Sequence, residues 1–172
     1  MSAAAQVTPR KMVVELRKVK YSASLSEETA AFTADLYFDG VKVGTASNHG
    51  TGGPNDTHIP SALHRSAFAE FIANEPPEPC EWGDKKPLTM TEDFFISNLV
   101  ETFLKAKDNA KNEKRFEKRA VTARLTGRVV LVVHFKGMFV EATCLPTEIE
   151  TMTASINKQY GKGTVGTVRV IK

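Results

Sequence analysis

The sequence predicts an α+β fold: a single domain of 172 residues with a largely antiparallel sheet and three helices packed mainly on one face. Three observations lead there. Residues 31–47 alternate apolar and polar side chains around Asp39-Gly40, the signature of a β-hairpin. Three longer stretches, 60–74, 89–118 and 146–160, place apolar residues at helical spacing. The resulting order, βββ, αα, βββ, αβ, lacks the regular strand and helix alternation of a doubly wound parallel sheet.

The elements follow in chain order. Residues 1–10 are expected to be disordered, and Met12 to Lys20 alternates after a short apolar run, as a half-solvated strand does. In the hairpin, Phe32, Ala34, Leu36 and Phe38 share one face, Gly40 supplies the positive-φ turn, and Val41, Val43 and Thr45 continue the alternation. Ser47 to Thr57 is a loop rich in Gly, Asn and Pro. The next helix has Pro60 in its first turn and carries Leu63, Ala67, Phe68, Phe71 and Ile72. Prolines break it, and Glu75 to Leu88 reads as a long mobile loop whose Trp82 folds back onto the body. Thr89 to Glu92 offers a capping box for a helix reaching about Lys118, with a stripe of Phe95, Leu99, Phe103, Ala106 and Ala110. Val121–Thr126 and Val129–Phe135 read as a strand pair around Gly127-Arg128, and Met138–Cys144 as a third strand. Pro146 to Tyr160 is a helix stopped by Gly161, and Thr164 to Ile171 a closing strand.

Composition bounds the function classes. Hydrophobic residues at 41% and charged residues at 25% are those of an ordinary globular chain. No run is long and apolar enough for a signal peptide or a bilayer span, and Cys80 and Cys144 form no CxxC, so a cytoplasmic protein without membrane contact is expected. The net charge of +3 hides a segregation: residues 1–20 carry +4, residues 21–100 carry −8, residues 101–128 carry +5 and residues 129–172 carry +2. The basic segment therefore calls for an acidic partner, which nucleic acid, a host protein or the acidic segment of another copy of the chain would supply.

One resemblance bears on the setting. The runs Tyr21 to Thr29, Leu36 to Gly44 and Ser47-Asn48-His49-Gly50-Thr51-Gly52-Gly53, with the ending Lys158-Gln159-Tyr160-Gly161, resemble a family of small uncharacterised proteins from bacteria, phages and plasmids. That family has an acidic residue before the first glycine, where this chain has His49. The resemblance implies a mobile-element setting and brings no activity, catalytic residue or cofactor.

Several chemistries are then weighed. The loop of His49, Gly50, Gly52, Gly53 and Asp56 lies between a strand and a helix, where backbone N–H groups can hold an anion, yet it matches neither a Walker loop nor GxGxxG. With His58 and His64 it could instead gather a metal for a small metal-dependent hydrolase, at spacings that match no recognised site. His134 sits in an apolar run, as a structural histidine does. Neither cysteine has an adjacent histidine and no serine occupies a nucleophile elbow, so no catalytic residue and no cofactor are nominated. Lys107, Lys111, Lys114 and Lys118 fall at i, i+4, i+7 and i+11, which a helix aligns on one side, with Arg115 flanking and Arg119, Arg124 and Arg128 following.

The reading that results is a non-enzymatic accessory protein of phage or plasmid type. It contacts nucleic acid, or a host protein that handles nucleic acid or serves defence, through these basic residues. An inhibitor that presents the acidic segment 75–93 in place of nucleic acid and the metal-dependent hydrolase are the alternatives.

Overall fold

The computed structural model describes residues 12–80, 86–161 and 165–171. The expectations for residues 1–10 and for Trp82 lie outside them. The chain is α+β, with three α-helices and two antiparallel sheets where the sequence implied one. It divides into two compact units, Met1–Leu104 and Lys105–Lys172.

In the first unit, β1 (Val14–Ser22), β2 (Ala31–Phe38), β3 (Val41–Asn48) and β4 (Asp56–His58) pair in that order, every pair antiparallel. The β2–β3 turn has φ of 47° at Asp39 and 82° at Gly40, two positive values that match a tight turn to strand twist. Phe32, Ala34, Leu36 and Phe38 are buried, as the alternation requires. On β3 the alternation fails. The register shifts at Leu36/Tyr37, so that Val43, Ala46 and Asn48 face inward while Val41 and Thr45 are exposed. An extra residue in one strand flips everything after it, and alternation alone does not reveal where it sits. Against this face pack α1 (Ala62–Ala73) with Phe68 and Ile72, and the start of α2 (Glu92–Arg124) with Ile96 and Val100. Ser61 caps α1 by accepting from the His64 N–H, so Pro60 stands before the cap and not in the first turn. Thr91 caps α2 by accepting the Phe94 N–H at 3.1 Å, in place of the expected box at Thr89. Glu78 and Leu88 exchange backbone hydrogen bonds of 2.9 and 2.8 Å, which close the base of the loop expected to be mobile.

In the second unit, β5 (Val129–Phe135) lies between β6 (Met138–Cys144) and β7 (Thr167–Ile171), antiparallel to both. Its run Val-Val-Leu-Val-Val is buried on both sides. Val130 and Val132 meet Phe116, Ala120 and Ala123 of α2, while Val129, Leu131 and Val133 meet Cys144 and Ile156 of α3 (Ile149–Tyr160). The strand expected over Val121–Thr126 is helix. Phe116, Ala120 and Ala123 form one buried i, i+4, i+7 stripe, and this tertiary contact overrides the weak helix preference of Val121 and Thr122. The stripe expected to run through Ala106 and Ala110 does not form, since both are exposed.

Candidate functional site

The basic residues sort into two groups once α2 is in place. About 100° of turn per residue puts Lys107, Lys111, Lys114 and Lys118 on one side of the helix, with Phe116, Ala120 and Ala123 on the opposite side. All four lysines are exposed, and they extend about 16 Å along the axis. Lys111, Lys114 and Lys118 form no ion pair among the described residues. Adjacent lysines repel at these spacings, so nothing internal to the helix favours the row.

Arg115 and Arg119 belong to the other group. Glu141 on β6, whose side chain is only 9% exposed, sits 3.2 Å from Arg115 Nη2 and 2.8 Å from Arg119 Nη1. Arg119 also donates to Thr143 Oγ1 at 3.4 Å, and Arg115 lies over the rings of Phe116 and Phe139, themselves edge to face at 5.2 Å. Glu113 is paired with Arg169 at 2.6 Å, and that carboxylate raises the pKa of the arginine further. The helix thus uses its flanks for internal charge pairing and leaves Lys111, Lys114 and Lys118 to solvent.

Arg124 and Arg128 are exposed where the helix ends. Thr126, Gly127 and Arg128 donate their N–H groups to the carbonyls of Ala123 and Arg124, and Gly127 takes φ of 67°, so the last turn is capped and reversed. Beside this turn lies a groove of about 620 Å³ lined by Arg119, Thr122, Thr126, Arg128, Thr143 and Leu145, with Ala123 at its base. Thr122, Thr126, Thr143 and Glu141 were not singled out from the sequence. Threonine is an ordinary residue at a helix end or in a strand, and only the pairing of β6 beside α2 joins them.

The glycine and histidine loop is built for a different purpose. The Gly50 carbonyl accepts the N–H groups of Glu27, Glu28 and Thr29 at 2.9, 3.0 and 3.3 Å. The Gly50 N–H is itself spent on Asn48 Oδ1 at 2.8 Å. Asn48, the one buried polar residue of the core among the described residues, also accepts from Thr29 Oγ1 and donates to the Gly53 carbonyl and to Asn55. Asn55 in turn donates to Asp93 and Ser97 on α2. The loop is therefore a strut between the segment 23–29 and α2, and its central amide points inward. Gly52 and Gly53 take positive φ values of 84° and 101°, the turn role of glycine. Two clefts of about 280 and 290 Å³ flank Asn48, and His49 lines the first of them.

The histidines do not converge. His49 follows β3, His58 and Asp56 are exposed on the edge strand β4, and His64 packs edge to face on Phe38 at 6.2 Å. Among the described residues, no three His, Cys, Asp or Glu side chains form a group that could hold a metal. His134 rests against Phe139 at 5.9 Å, and burial pushes the Cys144 thiol up in pKa, with Glu148 adding to this and Arg128 opposing it. No described helix is long and apolar enough to cross a membrane. No family model matches the chain, and neither does any curated protein or solved structure.

Proposed function

We propose that the chain is a non-enzymatic binding protein of phage or plasmid type that contacts nucleic acid through the lysine face of α2 and the arginines at its end. The observation that carries this reading is the row Lys111, Lys114 and Lys118, exposed opposite the core stripe and without an ion pair among the described residues. Carboxylates of this unit are engaged elsewhere, Glu113 on Arg169 and Glu141 on Arg115 and Arg119. Lysines left in this way, against the repulsion of their neighbours, suit a partner that brings its own regularly spaced negative charge, as a phosphate backbone does. The resemblance over residues 21–53 to small phage and plasmid proteins agrees with a partner of this kind.

The test is fluorescence anisotropy of labelled single-stranded and duplex oligonucleotides at rising salt. Binding with a linear log-log salt dependence supports the reading. No binding of either nucleic acid at low salt refutes direct contact and leaves an acidic face of a host protein as the partner to pursue.

A further inference from the structure

The groove at the end of α2 differs from the lysine row in kind. It is concave, and the donors it offers are the guanidinium groups of Arg119 and Arg128 and the hydroxyl of Thr143, since the Thr122 and Thr126 hydroxyls donate to the Lys118 and Ala123 carbonyls. Thr126 Oγ1 donates to the Ala123 carbonyl at 2.9 Å, and the N–H groups of Thr126 and Arg128 reach that same oxygen at 3.0 and 2.9 Å. The Ala123 carbonyl thereby takes three of the turn's donors and the Arg124 carbonyl takes the Gly127 N–H, so two of the orphan carbonyls at the helix end are satisfied within the turn. Arg119 is fixed on one wall by Glu141 and Thr143. Thr143 accepts from Arg119, so its own hydroxyl proton is left to donate into the groove. Arg128 lines the groove with no carboxylate partner among the described residues. Glu141 is shared by Arg115 and Arg119, so Arg128 adds a positive charge that this carboxylate does not balance, and Glu148 accepts the Leu145 N–H at 3.0 Å.

From this arrangement we infer that the groove lined by Arg119, Arg128 and Thr143 seats a phosphate group, with Arg128 as the residue that holds it. A guanidinium without a partner, beside a second one already oriented and a hydroxyl donor, offers the fork geometry that phosphate oxygens accept in pairs. The source of that phosphate is a backbone phosphodiester of the bound strand, and in this the inference rests on the nucleic-acid reading. The lysine row then supplies charge along the helix, and the groove fixes where the strand ends its contact.

The experiment is an amide NMR titration of the full chain with inorganic phosphate and, separately, with a short single-stranded oligonucleotide. Phosphate is expected to shift the Thr126, Arg128 and Thr143 amides saturably. Arg128→Gln weakens that binding about tenfold or more, the loss of a charge-assisted pair. Arg128→Lys retains the charge and is expected to bind phosphate less tightly than the native protein and more tightly than Arg128→Gln. Lys111→Gln with Lys114→Gln and Lys118→Gln leaves phosphate binding in the groove intact. The oligonucleotide moves the same amides, and Arg128→Gln removes about 0.7 from its salt slope. Unmoved groove amides, or undiminished phosphate binding by Arg128→Gln with the rest of its spectrum native, overturn the inference even if the oligonucleotide still binds the lysine row. Groove shifts with phosphate but none with the oligonucleotide uphold the seat, overturn the strand as its source and point to a small phosphate ester.

Discussion

Replacing Lys111, Lys114 and Lys118 together by Gln separates binding from folding, because the two respond in opposite directions. Each lysine that neutralises a phosphate releases counterions, so three contacts contribute about −2.7 to the log-log salt slope on duplex DNA and about −2.1 on a single strand. On duplex, that contribution weakens binding about 40-fold as salt rises from about 50 to about 200 mM. The variant is expected to lose this part of the slope and to bind more weakly at low salt. Its stability should hold or rise. The three side chains are exposed and opposite the stripe of Phe116, Ala120 and Ala123, so no packing is lost. Removing the Lys107/Lys111, Lys111/Lys114 and Lys114/Lys118 repulsions is worth up to about 1 kcal/mol at low ionic strength. Gln and Lys have similar helix propensities, which leaves no opposing backbone cost. Anisotropy against salt and urea denaturation of the same preparations give both numbers. A slope equal to that of the native protein refutes the assignment of the lysine face, whatever the affinity.

Gly50→Ala is expected to cost about 2 kcal/mol or more in urea denaturation, since a Cβ there meets the Leu25 carbonyl at φ of 89° and displaces the three N–H groups held by Gly50; a variant as stable as the native protein refutes the strut. The Lys42 ammonium, hydrogen-bonded to Asp35 at 2.6 Å, and Lys18 hold the Asp35 carboxyl below the usual carboxylate range. A depressed folded-state pKa gives stability that is present above the unfolded value and lost as pH falls through the folded one. Asp35→Asn should therefore flatten the acid limb of stability against pH below about 4, and an unchanged limb counts against the triad. Glu141→Gln frees Arg115 and Arg119 from their shared carboxylate, so the salt slope on duplex should steepen by up to about 1.8 while stability falls by on the order of 1 kcal/mol. A slope that does not move means that both arginines are out of reach of the partner.

Local pattern carried most of the secondary structure into view. The hairpin at Asp39-Gly40, the helices of residues 62–73 and 149–160, and the strands 129–135 and 138–144 are each marked by short-range periodicity and turn residues. What periodicity missed has identifiable physical causes. Val121 and Thr122 look like strand residues, but the buried stripe that keeps them helical needs β5 as its partner, a contact no window of sequence contains. The bulge in β3 exchanges the faces of Thr45 and Ala46, which no local alternation of apolar and polar residues announces. The division into two sheets follows from β5 pairing with β7 across α3, instead of joining the sheet of β1 to β4.

The candidate site divides along the same line. That four lysines share a helix face follows from their spacing alone, as does the absence of acidic residues from that face. Which cations are free does not follow from spacing. Arg115 and Arg119 stand in the same basic run as Lys114 and Lys118, and only the register of β6 brings Glu141 between them. The same register sets Thr143 beside Arg119 and leaves Arg128 without a carboxylate among the described residues, at the mouth of the groove. A carboxylate that is 9% exposed cannot leave its arginines without a large desolvation imbalance, whereas a lysine in water exchanges its counterion at almost no cost. The charges available to a partner are therefore those the fold does not use, and among the described residues of this unit they include Lys111, Lys114, Lys118 and Arg128.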